Sequence, residues 1–490
     1  MGNPRIIQGG MGVAFSSWRL AQAVSALGQL GVVSGTALDN VFARRLQDGD
    51  PGGHMRRALD HFPLPAMAER VWNAYFIDGG KREDASYAKV PSFKKESVRA
   101  LQELLIAANF AEVFLSKQGH SNPVGINFLE KIQIPHLPSI YGAMLAGVDY
   151  ILMGAGIPTR IPGVVDLYVN HKPATYPLYV AGAQPGDDTT IRFNPRDYIE
   201  HELPQLRRPK FLAIIASNTL AVTLLKKSNG QVDGFIIEGP TAGGHNAPPR
   251  GKLQLDAAGE PIYGERDIVD LDRMCELGVP FWLAGGCGSA EKLRYALDAG
   301  AAGVQVGTPF AFCDETALRN DYKLALLTEA AAGRAKVATD PLASPTGFPF
   351  KVAQLAGTVS DHEVYRQRPR ICDMGYLREA FRTEDGEIDF RCASEPETVY
   401  VAKGGKLENT VGRKCVCNGL FANIGLPQVR GRGRVETGIV TAGDDLAEVA
   451  RFLPASGLRY SAADVIRNLL EGDEPDEQAQ TECDAVPAGV

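Results

Sequence analysis

No run of uninterrupted apolar residues reaches the ~18–20 that a membrane span needs. The longest candidate, 211–225, is broken by Ser217, Asn218, Thr219 and Thr223. A basic n-region followed by an apolar h-region is also missing: after Met1 the chain soon reaches Pro-Arg-Ile-Ile-Gln-Gly-Gly, so no signal peptide is expected. Basic charge is in deficit, with 51 Lys+Arg against 58 Asp+Glu and a net charge of −7, which argues against a nucleic-acid partner. The pairs Arg44–Arg45 and Lys94–Lys95 are too short to reverse that. No repeat of fixed period is visible. What is present is an ordinary folded composition, 44% hydrophobic and 22% charged, which excludes overall disorder and a fibrous chain. A cytoplasmic location is expected, and the eight cysteines then read as thiols, metal ligands or catalytic groups rather than disulfides.

The length of 490 residues suits two or three domains, or a single α/β barrel with appendages. Short Val/Ile/Leu runs alternate with segments of helical period, as in βα units around a parallel sheet. Eight runs are strand candidates: 5–8, 31–34, 124–128, 150–153, 212–216, 234–238, 280–284 and 303–306. Segments 17–27, 220–227 and 291–297 have helical patterns between them. Eight units predict an α/β (β/α)8 TIM barrel spanning 1–335, with its site at the strands' C-terminal ends. A doubly wound sheet is the competing architecture. Insertions at about 37–121 and 159–210 interrupt the spacing. Beyond the barrel the pattern predicts a Cys/Gly/Arg-rich irregular segment (336–434), a helical segment (435–470) and a disordered acidic tail (471–490).

Strand candidates seven and eight both end in glycine, as Ala284-Gly285-Gly286-Cys287-Gly288-Ser289 and Val306-Gly307-Thr308-Pro309. Loops after these two strands are the usual phosphate site of a barrel, because glycine lets backbone N–H groups approach a dianion closely. Thr308 can add a hydroxyl, and Ser289 can cap the next helix. Two tight βα turns without a ligand are the plainer alternative. After the sixth strand comes Glu238-Gly239-Pro240-Thr241-Ala242-Gly243-Gly244-His245. A histidine in such a small-residue loop at a barrel mouth has no packing reason to be there. Gly243 and Gly244 leave room for a planar ligand, and imidazole, with a pKa near ~6.5, can accept a carbon-bound proton. The alternative is a loop histidine satisfied by backbone carbonyls. His120, before the third strand, is a lesser pocket candidate that suits a surface turn.

These motifs occur together with Ile6-Ile7-Gln8-Gly9-Gly10-Met11-Gly12, Val124-Gly125-Ile126-Asn127 and Met153-Gly154-Ala155-Gly156-Ile157-Pro158. In that order, over roughly 4–315, the chain resembles the flavin-dependent nitronate monooxygenase family, which also includes FMN enoyl-thioester reductases. The resemblance implies a TIM barrel binding FMN. Gly285, Gly286, Gly307 and Thr308 would hold the phosphate. Asn127, the turn of Gly9, Gly10 and Met11, and the pair Gly243 and Gly244 would lie beside the flavin, with His245 the catalytic base or the group orienting substrate. It implies a flavoprotein monooxygenase oxidising a nitronate with dioxygen. The alternative is an NAD(P)H-dependent enoyl-thioester reductase, acting in trans with a fatty-acid or polyketide synthase. Gly9-Gly10-Met11 replaces the family's usual Ala-Pro-Met, and Gly239-Pro240-Thr241 stands where an acidic residue often precedes Ala-Gly-Gly-His. Both changes bear on substrate more than on phosphate.

Four cysteines fall in the irregular segment: Cys372, Cys392, Cys415 and Cys417. Four thiolates could bind zinc or an iron–sulfur cluster and staple a segment lacking its own core. Against this, C-x-C with long spacers matches no standard motif, and buried reduced thiols are the alternative. Cys287 is expected to pack in its turn, and Cys275, Cys313 and Cys483 to be core or tail residues. A small-molecule substrate is expected, with homo-oligomers or a synthase as candidate partners. A binding scaffold docking through the Cys-rich segment is the non-enzymatic reading.

Overall fold

The computed structural model describes residues 2–471. At its centre are eight parallel strands: β1 (Ile6–Gln8), β2 (Gly31–Ser34), β3 (Val124–Leu129), β4 (Tyr150–Gly154), β5 (Lys210–Ile215), β6 (Gly234–Glu238), β7 (Phe281–Ala284) and β8 (Gly303–Val306). They lie in the order β1-β8-β7-β6-β5-β4-β3-β2. The two ends of this sheet meet where Leu30, just before β2, bridges Ile7 in parallel and accepts from Gln8 N at 2.9 Å. The ring therefore closes into a (β/α)8 barrel, and the doubly wound sheet is excluded. Every strand lies within two residues of its expected ends.

Alternation along the strands sorts side chains to two faces. Ile7, Val32, Leu152, Leu212, Ile236 and Trp282 point inward and fill the barrel, and the indole N–H of Trp282 donates to Pro4 O at 2.8 Å. Ile6, Val33, Ile126, Phe211, Phe235 and Val304 point outward into the helical layer. Two residues beyond the inner layer, at the C-terminal mouth, the same register brings Asn127, Ile214, Glu238, Ala284 and Gln305 to the inner face. All five line one cavity.

The insertions have definite structure. Segment 37–121 forms helices Leu38–Gln47, His54–Leu59, Pro65–Tyr75 and Arg99–Ser116. Segment 159–210 forms helix Ile161–Tyr168 and an antiparallel pair, Ala174–Pro177 with Thr190–Phe193. Its strand Val180–Ala181 pairs in parallel with Glu379–Arg382 from beyond the barrel. The expected irregular segment contains two hairpins, Val337–Asp340 with Phe350–Ala353 and Glu379–Arg382 with Ile388–Arg391. Strands of four residues carry too few alternations to register as a period.

The helical segment folds as a 3-10 helix, Asp444–Phe452, and an α-helix, Ala462–Glu471. The latter packs against both Trp18–Ala26 and Ala290–Asp298, the helices that follow β1 and β7. It thus fills the outer-layer slot between first and seventh helices, where a barrel's eighth helix belongs. Of the expected disordered tail (471–490), Glu471 ends the last helix, and the remainder with Cys483 lies outside the described residues. No helix among those described is long and apolar enough to cross a membrane.

Candidate active site

A cavity of about 210 Å³ sits over the barrel mouth. Its floor is the inner ring of strand ends, and three of the five groups there are polar. Asn127 Oδ1 and Gln305 Oε1 are buried with no hydrogen-bond partner. Glu238 has its carboxyl pushed up to about 7 by burial. Neither Glu238 nor Gln305 stands out in the sequence, because a polar residue at a strand end reads as the strand's boundary. Their inward register is the signal that finds them.

The N-terminal turn forms one wall. Gly9, Gly10 and Met11 all line the cavity. Gln8 and Ser16 pin the turn: Gln8 Nε2 donates to Ser16 Oγ at 2.8 Å, and Ser16 Oγ donates to Gly9 O at 2.8 Å and accepts from Met11 N at 2.9 Å. Glycine at 10 is required by a close approach, since a Cβ there would fall 2.6 Å from Asn127 Cγ. Opposite, Gly285 and Gly286 follow β7 with φ of +87° and +64°, and Gly307 and Thr308 follow β8. Both turns open on the same cavity. The left-handed backbone at 285–286 favours glycine and leaves its amides uncovered. Ser289 caps the next helix, accepting from Lys292 N at 3.3 Å. Cys287 packs in its turn as expected, buried, with its thiol pKa raised to about 12 chiefly by burial.

His245 also lines the cavity, but its loop is not free. Gly244–His245 forms a short strand antiparallel to Phe350–Ala353, with His245 opposite Phe350. The imidazole lies 4.7 Å from the Phe350 ring, and its Nε2 is 2.6 Å from Ser344 Oγ. Burial first, and Lys131 second, lower its pKa to about 4, so the ring is neutral at pH 7. Gly243 lines the cavity as well, and a Cβ there would lie 2.6 Å from the carbonyl carbon of Ala442, so this glycine also admits the C-terminal chain. Gly244, with φ of +81°, faces open space.

The remaining wall comes from beyond residue 335: Phe350, Tyr376, Leu377, Val416, Leu420 and Asp445. Gly443 N donates to Thr308 Oγ1 at 2.8 Å, and Asp444 N donates to Thr241 O at 3.0 Å, so the C-terminal chain rests on the rim. Asp445, its pKa raised by burial, accepts from Gly288 N. Tyr376 ties this wall to the first insertion, donating to Asp39 Oδ1 at 2.6 Å. His120 bonds Ser116 O at 2.8 Å and is not part of the lining.

The zinc or iron–sulfur expectation is not supported. Among the described residues no group of three or more His, Cys, Asp or Glu could hold a metal ion. Cys372 shares a hydrogen bond with Cys392, and that bond and burial raise its thiol pKa, while burial raises those of Cys415 and Cys417. Cys417 instead lines the cavity. Cys313 is buried as expected, whereas Cys275 is exposed rather than core.

Residues 200–341, which carry β5 to β8 with the histidine loop and both glycine turns, match the family model described as nitronate monooxygenase. A nitronate monooxygenase of Pseudomonas aeruginosa is 24% identical over 288 residues, 59% of this chain and 74% of the relative. One of Paraburkholderia phytofirmans is 32% identical over 120 residues, 24% of this chain and 31% of the relative. Among solved structures, FabK from Thermotoga maritima aligns over 96% of this chain and 92% of that one, with a TM-score of 0.48 and 14% identity. The family model and these two relatives bear out the resemblance read from the motifs.

Proposed function

We propose, from the premise that this chain is a flavin-dependent oxidoreductase of nitronate monooxygenase type, that it binds FMN and oxidises a nitronate or similar small substrate with dioxygen, His245 serving as base. The cavity suits the cofactor. Unpaired buried acceptors such as Asn127 Oδ1 and Gln305 Oε1 each cost about 1–3 kcal/mol, which the N–H of a bound heteroaromatic ring would relieve at the one it reaches. Gly285, Gly286, Gly307 and Thr308 would hold the phosphate, with Gly9, Gly10, Met11, Gly243 and Gly244 beside the ring. Bound FMN supplies a two-electron acceptor that dioxygen can reoxidise.

The observation that carries the reading is His245: a neutral imidazole on the wall of a glycine-rimmed cavity, aimed by Ser344. In that state it can take an α-proton from a nitroalkane or hydrogen-bond a nitronate oxygen. Phe350 and the C-terminal extension complete the wall beside it. Purified protein should show a flavin spectrum, and His245→Ala should keep the flavin while losing at least ~100-fold in turnover with nitronate. A colourless protein that FMN cannot reconstitute would falsify the reading.

One observation favours the second reading, an enoyl-thioester reductase working with a synthase. A larger open cavity of about 790 Å³ adjoins the first, sharing Ile132, Tyr376 and Leu377, with Lys131, Arg378, Arg391 and Arg413 in its lining. That space suits a longer anionic substrate. Anaerobic mixing separates the two: prompt bleaching of the flavin by NADPH supports the reductase, and bleaching by nitronate alone supports the monooxygenase.

A further inference from the structure

We infer that Ser344 and Thr346 are positioning residues that hold His245 in one tautomer and pass the proton it collects out to the larger cavity. The inference rests on the reading of His245 as base given above, and adds to it a path for the proton.

The loop between Val337–Asp340 and Phe350–Ala353 carries both hydroxyls and is held from several sides. Arg413 Nη1 donates to Leu342 O at 2.8 Å and to Ser344 O at 2.6 Å. Lys414 N donates to Ala343 O at 2.8 Å, and Asn246 N donates to Pro349 O at 2.9 Å. Ser344 is fully buried, whereas Thr346 is half-buried and lines the cavity of about 790 Å³. His245 Nε2 is 2.6 Å from Ser344 Oγ, and Ser344 Oγ is 2.8 Å from Thr346 Oγ1. This row of polar atoms runs from an imidazole on the inner cavity to a hydroxyl on the outer one.

Hydrogen-bond capacity limits how the row is protonated. Ser344 Oγ already accepts from Thr346 N at 3.3 Å, and Thr346 Oγ1 accepts from Phe348 N at 3.4 Å. Each oxygen is left with one lone pair and one proton. Two orders meet that count: protons directed from Nε2 outward, or from Thr346 inward to Nε2. Nδ1 has no hydrogen-bond partner among the described residues. Only the outward order leaves its lone pair free, so a base at His245 requires Nε2–H.

When a nitroalkane is the substrate, its α C–H bond breaks, the electron pair moves onto the nitro group and an Nδ1–H bond forms. Nε2 then releases its proton to Ser344, Ser344 releases its own to Thr346, and Thr346 releases its own to solvent in the outer cavity. The imidazole ends neutral. That matters because no carboxylate bonds this ring among the described residues, while burial and the charge of Lys131 both disfavour an imidazolium. A hydroxyl pair cannot hold the charge, but it can pass the proton on.

Nitrogen-15 NMR of ring-labelled histidine in the apoprotein at pH 7 reads the tautomer without flavin or substrate, with His245→Gln identifying the signal. Wild type should carry the proton on Nε2. Thr346→Val keeps the side chain's shape but removes the acceptor of Ser344. The Ser344 proton should then turn to Nε2, and the imidazole proton should move to Nδ1. Thr346→Ser should keep the wild-type tautomer. A purely structural role for Thr346 would move none of these signals. In flavin-loaded enzyme, Thr346→Val should lose at least ~10-fold in turnover of a nitroalkane, which must give up a proton, and less than about twofold with the matching nitronate, which has already lost it. A wild-type proton on Nδ1, a tautomer unchanged by Thr346→Val, or equal losses for the two substrates overturns the inference. Loaded wild type that turns over neither substrate refutes the function proposed above, and the tautomer signals still decide the role of the two hydroxyls.

Discussion

Glu238 and His245 show one physical cause with opposite outcomes. Burial disfavours charge, so it raises the acid from its usual 4.5 to about 7 and lowers the imidazole from 6.5 to about 4. For Glu238 the folded state favours the protonated form. Stability is whole below about 4.5 and is lost as pH climbs to about 7. For His245 stability is whole above 6.5 and is lost as pH falls to about 4. Glu238→Gln removes only the first effect. The melting temperature of the variant relative to wild type should therefore rise between pH 5 and pH 8, by the equivalent of at most roughly 3 kcal/mol. A difference that stays flat across that interval would contradict the burial of this carboxyl. The histidine was legible in the sequence because nothing around it could pack. The glutamate was not, because its meaning depends on which face of β6 it occupies.

Among the elements, the turns after β7 and β8 depend on glycine for a local reason. Gly285 has φ of +87°, and a Cβ there would approach Thr241 Oγ1 at 2.8 Å and Ala242 N at 3.1 Å. Gly285→Ala should cost about 1–2 kcal/mol from backbone strain alone. Because this turn is assigned to the phosphate end, the variant should bind FMN more weakly while binding riboflavin as wild type does. Equal losses for the two ligands in a fluorescence titration would remove that assignment. The glycine pair at 243–244 reads in the sequence as space for a ligand, and both residues line the cavity, but Gly243 also makes space for Ala442, 199 positions further along. The strand pairing that fixes His245 likewise needs Phe350, more than a hundred residues away. A two-residue strand has no period to read.

For the whole molecule, the C-terminal extension is part of the barrel. Val440, Leu446, Val449, Phe452, Val465, Ile466 and Leu469 are buried in the same core as Phe15, Leu20 and Phe310. At ~1.5–3 kcal/mol for each buried side chain, their combined contribution is of the same size as the ~5–15 kcal/mol by which a domain is stable. A chain ending at residue 335 should therefore be insoluble or melt without cooperativity. A soluble, monodisperse truncation with a wild-type melting curve would show that the barrel stands alone.

The sequence by itself determined the eight strands, the glycine turns and the histidine, since each rests on local properties: apolar runs, backbone freedom and side-chain chemistry within a few residues. The tertiary structure alone decided that the ring closes at Ile7 and Leu30, that Asn127, Glu238 and Gln305 share one floor, that four cysteines form no metal group among the described residues, and that a distant segment completes both the outer layer and the cavity wall. These follow from contacts between residues far apart in the chain, and neither composition nor periodicity encodes such proximity.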